Sequence, residues 1–200
     1  MLPSGLENSI ELRLGHFYLI LAPRRVGRLL MNTLAASLSL TGPALVLDGG
    51  NAFDAHGIAR DVRYHTVEMV LAMDRLKVSR AFTCYQIVAM LGAQTPGLQP
   101  VLVLDLLATF LDENVNLRER LRLLDQAIGY LQRLSTLAPL AVSVTASPTP
   151  EADPPTGWPV GQPGILAAPP PSMMAMLEAA ADEVVRYEYP PPAFQQARLF

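Results

Sequence analysis

PVLVLDLLA (100–108), LRERLRLLDQAIGYLQRLS (117–135) and LAVSVTAS (140–147) decide the fold of this chain. The first and third are short runs of apolar, mostly branched residues, the pattern of strands buried on both faces. Between them, Leu121, Leu124, Ile128, Leu131 and Leu134 recur at helical spacing and mark one face of a long amphipathic helix. A strand, a crossover helix and a second strand make a parallel pair.

The same alternation extends toward the N-terminus. HFYLILA (16–22) reads as a strand, followed by a helix over 25–40 with Val26, Leu29, Leu30, Leu34 and Leu38 apolar. ALVLD (44–48) is a second strand, ended by Gly49-Gly50, and a helix is expected over 55–74. KVSRAF (77–82) reads as the third strand and YQIVAML (85–91) as a further helix. Five apolar strands alternating with helices predict an α/β fold of three layers, a mostly parallel twisted sheet with helices on both faces.

The C-terminal part reads differently. Residues 148–171 hold nine prolines and no basic residue, which predicts a long mobile loop rather than a strand. MMAMLEAAA (173–181) reads as a short helix. DEVVRYEY (182–189) and FQQARLF (194–200), joined by PPP, are expected to form an antiparallel hairpin on the sheet edge. Residues 1–200 read as a single domain.

Composition narrows the function. Half of the chain is hydrophobic and 16% is charged, below the usual share of about 25%. So uncharged a surface predicts coverage by a partner or by further copies of the chain. The net charge of −3 provides no global field for nucleic acid. Lys77 is the only lysine. Cys84 is the only cysteine, which excludes a disulfide framework and a cysteine-built metal centre. His16, His56 and His65 are not at metal-ligand spacing, so no metal is expected. MLPSGLENSIELRLG lacks the basic and apolar regions of a secretory leader, and no apolar run reaches the roughly 18 residues of a membrane span. The chain is expected to be cytoplasmic.

LAPRRVGRLL (21–30) sits between a strand and a helix, where a phosphate-binding loop would lie. Such a loop, G-x-x-x-x-G-K-[S/T], wraps phosphate oxygens with backbone N–H groups, and its hydroxyl holds magnesium. Gly27 alone fits. Ala22 replaces the first glycine, Arg28 the lysine and Leu29 the hydroxyl residue, while Pro23 removes an N–H donor. Arg24, Arg25 and Val26 fill the remaining positions. Asp105, at the end of an apolar strand, stands where nucleotide hydrolases place a magnesium-holding aspartate. Asp48, at the end of another strand, could line the same site or cap its strand.

LVLDGGNAFDAHGIAR, VSRAFTCYQ, the Asp105 strand with its helix, APLAVSVTAS, and AADEVVRYEY…ARLF, in this order, resemble the ATPase core of the RecA/RadA recombinases. The resemblance covers roughly 14–200. LDGGNAF (47–53) matches the family's second-strand motif, and Ser79-Arg80-Ala81-Phe82-Thr83 matches its third. The resemblance implies a degenerate nucleotide site made of Ala22, Pro23, Arg24, Arg25, Val26, Gly27, Arg28, Leu29, Asp48, Gly50 and Asp105. The family's water-activating glutamate falls on Gly50, so no catalytic residue is carried over, and neither ATP nor magnesium is expected as a cofactor. The family's DNA-binding loops match LDENVN (111–116) and 148–171, both acidic, so DNA binding through them is not expected. The resemblance thus implies a RecA-like pseudo-ATPase that binds another RecA-like subunit or itself, in DNA recombination or repair. Two alternatives stand beside it: an ATP-binding repair or regulatory protein with an arginine-based phosphate loop, and a structural subunit of a RecA-like ring, as in Elongator. Met173, Met174 and Met176 read as helix core or as an adaptable contact surface.

Overall fold

A computed structural model describes residues 11–111, 114–146 and 171–187. Its elements run β1 (Phe17–Ala22), α1 (Arg24–Thr41), β2 (Ala44–Asp48), α2 (Ala55–Arg63), α3 (Met69–Asp74), β3 (Leu76–Arg80), α4 (Cys84–Ala93) and β4 (Val101–Leu104). A 3-10 helix (Leu106–Phe110), α5 (Leu117–Ser135), β5 (Leu140–Thr145), α6 (Pro171–Ala180) and β6 (Glu183–Arg186) follow. The strands form one sheet in the order β3-β2-β4-β5-β1-β6, and every pairing is parallel.

Side chains alternate across the strands, and both sets are covered. Phe17, Leu19, Leu21, Leu45, Leu47, Val101, Val103, Leu140 and Val142 face one core, closed by α4, α5 and the Met173 and Leu177 side of α6. Tyr18, Ile20, Ala22, Val46, Leu102, Leu104 and Ala141 face the other, closed by Met31 and Ala35 of α1, Ile58 and Val62 of α2, and Ala72 of α3. The central strands are therefore apolar throughout, because neither face meets water. β3 at the sheet edge is different: only Leu76 is buried.

Four expectations need correction or limits. The helix expected over 55–74 is two helices, parted where Thr66 Oγ1 accepts the Glu68 N–H at 3.1 Å. The strand expected over 100–108 stops at Leu104, because Asp105 turns the chain into the left-handed region (φ 48°) and Leu106–Phe110 continue as a 3-10 helix. KVSRAF is strand only to Arg80, since Thr83 caps α4 through the Gln86 N–H at 3.2 Å. The first arm of the expected hairpin is β6, which pairs parallel with β1. Its second arm, 194–200, and residues 148–170 of the proline-rich segment lie outside the described residues.

Candidate functional site

α2 leaves β2 on one face of the sheet, whereas the 3-10 helix and α5 leave the neighbouring β4 on the other. Connections that part in this way open a crevice at the carboxyl ends of the strands, the usual ligand position in open α/β sheets. Ala22, Arg24, Gly27, Arg28, Asn51, Ala52, Asp105, Ser143, Val144 and Thr145 line it here. Of the residues singled out in the sequence, Ala22, Arg24, Gly27, Arg28 and Asp105 meet there. Pro23, Arg25, Val26, Leu29, Asp48 and Gly50 do not line the space, although Asp48 and Gly50 hold its wall.

Residues 23–29 form no wrapped loop. Pro23 is the only residue between β1 and α1, and the Gly27 N–H already bonds the Pro23 carbonyl at 2.9 Å, an ordinary helical bond. That N–H is unavailable to a phosphate oxygen. Gly27 also has room: a Cβ there would lie 3.5 Å from Ala22 Cβ, in normal contact. Its small size fits helix-on-strand packing rather than close approach of a ligand.

Asp105 lines the crevice and is largely buried. It is 6% exposed; its N–H donates to Ser143 Oγ at 2.9 Å, and its Oδ1 accepts the Thr145 N–H at 3.0 Å. Burial pushes its carboxyl above the ordinary value of 3.8, against the opposing pull of the Thr145 bond and the Arg24 charge, and nearby Asp48 adds to the rise. Gly50 is pressed onto this side chain. A Cβ at Gly50 would stand 2.4 Å from Asp105 Cβ and 2.6 Å from Oδ2, so no side chain fits there while Asp105 stays. A glutamate at 50 and an aspartate at 105 exclude one another in this arrangement.

Asp48 is fully buried and accepts from three donors: Ala52 N at 2.9 Å, Phe53 N at 3.2 Å and Arg80 Nε at 3.0 Å. It holds the loop after β2 and the end of β3 together. Arg24 Nη2 donates to the Gly50 carbonyl at 3.4 Å, and Arg28 pairs with Asp54 at 3.1 Å. The space left over is about 30 Å³, the room of roughly one water. Ligand pockets start at about 300 Å³.

The sequence reading missed Asn51, Ala52, Ser143, Val144 and Thr145. Ser143 and Thr145 had a signal, being polar residues two apart at the carboxyl end of an otherwise apolar strand. Asn51 adopts φ 53°, for which Asn is better suited than most residues. Among the described residues no group of three His, Cys, Asp or Glu side chains is gathered to hold a metal ion. Their helices include none long and apolar enough to cross a membrane. No protein-family model and no curated protein matches this chain.

Proposed function

We propose that this chain is a RecA-like pseudo-ATPase, a subunit that works by binding another RecA-like subunit or a further copy of itself, with little or no ATP hydrolysis. One observation supports the reading: the crevice where the resemblance puts the nucleotide is bordered by Arg24, Arg28 and Asp105, with Gly50 pressed onto Asp105, and encloses about 30 Å³. Phosphoryl transfer depends on positioned cations and a positioned nucleophile. Here Leu29 has no oxygen for magnesium, Gly50 has no side chain for water, and the first turn of α1 has replaced the phosphate cradle. The parallel sheet is meanwhile complete among the described residues, which supports a subunit that works through its frame. A role in recombination or repair follows from the resemblance alone.

Calorimetry with ATP and magnesium tests this, with Arg28→Ala alongside. The expected result is no heat at high micromolar ATP. Saturable binding that Arg28→Ala removes would overturn the reading in favour of an arginine-based nucleotide site. That alternative draws on Arg24 and Arg28, which both line the crevice.

A further inference from the structure

A second space lies at the other end of the sheet, where α1 stops ahead of β2 and α3 leads into β3. It encloses about 280 Å³, against about 30 Å³ in the crevice. His65, Thr66 and Glu68, from the turn that parts α2 from α3, line it together with Arg75. Leu40 and Leu71 supply its apolar part. Arg75 is held in place by the end of α1: its Nη1 donates to the Ser39 and Leu40 carbonyls, each at 3.0 Å, in a helical turn whose last carbonyls lack partners of their own. Its Nε and Nη2, the Glu68 carboxylate and the His65 ring have no partner among the described residues. A guanidinium and a carboxylate thus line one cavity without pairing with each other.

We propose that this cavity binds a small zwitterion, a free amino acid with an aliphatic side chain. Two unpaired opposite charges in one space select by charge. A simple anion drawn to Arg75 is opposed by Glu68, and a simple cation drawn to Glu68 is opposed by Arg75. A molecule that carries both charges satisfies both residues at once. The free Nε and Nη2 form one edge of the guanidinium, which takes a carboxylate through two parallel hydrogen bonds. Because α1 already holds Nη1, less freedom is lost when the ligand binds. Glu68 then accepts the ammonium, and the Thr66 hydroxyl and His65 ring add neutral hydrogen-bonding groups. Leu71 is 56% exposed, an apolar surface that an aliphatic side chain would cover. The volume is just below the roughly 300 Å³ where pockets for drug-sized molecules start, which suits a single amino acid. The cavity lies apart from the crevice and works the same way whether or not the crevice takes a nucleotide.

Amide chemical shifts of the full, isotope-labelled chain, followed while L-leucine is added, test the site and its position together. So small a ligand, held by exposed charges, is expected to bind in the millimolar range. Saturable shifts are expected around Leu40 and residues 65–75, and not around Gly27 or Thr145 of the crevice. Isocaproate lacks the ammonium and isoamylamine lacks the carboxylate; each is expected to bind at least about threefold more weakly than leucine, the order of one exposed charge pair. Glu68→Gln is expected to weaken leucine by the same factor and to leave isocaproate no weaker. Asp74→Asn removes another exposed acid of α3, one that does not line the cavity, and is expected to change nothing. Replacing Arg75 would also cut its ties to α1, so the two analogues and Glu68→Gln carry the test. Absence of saturable shifts with leucine, shifts centred elsewhere, equal binding of either analogue, or the same loss in Asp74→Asn overturns the proposal.

Discussion

Asp48 ends β2 and Asp105 directly follows β4, the strand beside it, and the two acids sit in opposite surroundings. Asp48 is sealed from solvent but meets two backbone N–H groups and a guanidinium. Asp105 is nearly as buried, holds one N–H at its carboxylate, and adopts a left-handed backbone that side chains disfavour. A buried charge costs little when its donors are supplied and much when they are not. Asp48 therefore acts as a structural clamp, joining the loop after β2 to the end of β3. Asp105 is a poorly compensated acid in the crevice at the strand ends. Such residues concentrate at functional sites, which is the physical reason to look for function there.

The strongest way to break this comparison is Asp48→Ala. It leaves the Arg80 guanidinium and the Ala52 and Phe53 N–H groups without their acceptor, and should cost about 3–5 kcal/mol in urea unfolding. A loss below about 1 kcal/mol would show that water replaces the carboxylate and that Asp48 is no clamp.

Gly50→Ala comes next. The added Cβ collides with Asp105 rather than with a flexible tip, so a cost of about 1–3 kcal/mol is expected. Asp105→Gly removes the obstacle and suits φ 48°, so the double variant should be less damaged by the alanine than the unaltered protein is. Additive losses in the double-mutant cycle would mean that Gly50 is required for some other reason.

Asp105→Asn has the smallest effect, and its sign is what matters. Folded Asp105 keeps its proton to higher pH than the unfolded chain does, so the folded state binds more protons as pH rises above 3.8 and loses stability there. Asparagine cannot ionise and still accepts the Thr145 N–H. Asp105→Asn should thus melt higher than the unaltered protein at pH 7, with the gap closing below pH 3.8. A lower melting temperature at pH 7 would mean that Arg24 and Thr145 compensate the charge after all.

The element order is legible in the sequence because the central strands are apolar on both faces, and most are followed by a helix with a clear stripe. The misses are local and have local causes. Nothing like Gly or Pro marks the break between α2 and α3; a Thr66 side-chain turn makes it. LLATF is as apolar as the strand before it, so the 3-10 helix is invisible until the backbone of Asp105 is seen to turn left-handed. In the site, Arg24, Arg28 and Asp105 can be read from the sequence as neighbours, whereas the wall made by Asn51 and Thr145 depends on which strands lie side by side.

By itself, then, the sequence determined a layered α/β chain, parallel through its core, with an acid at the end of a central strand and arginines at the start of α1. Hydrophobic period and helix stripe are local quantities and need no knowledge of neighbours. Only the tertiary structure decided that β4 lies beside β2, that Pro23 leaves no loop between β1 and α1, and that Gly50 is packed against Asp105. Residues 50 and 105 are 55 positions apart, and the 2.4 Å that a side chain at Gly50 would face exists only once strand order and register have brought two strand ends together.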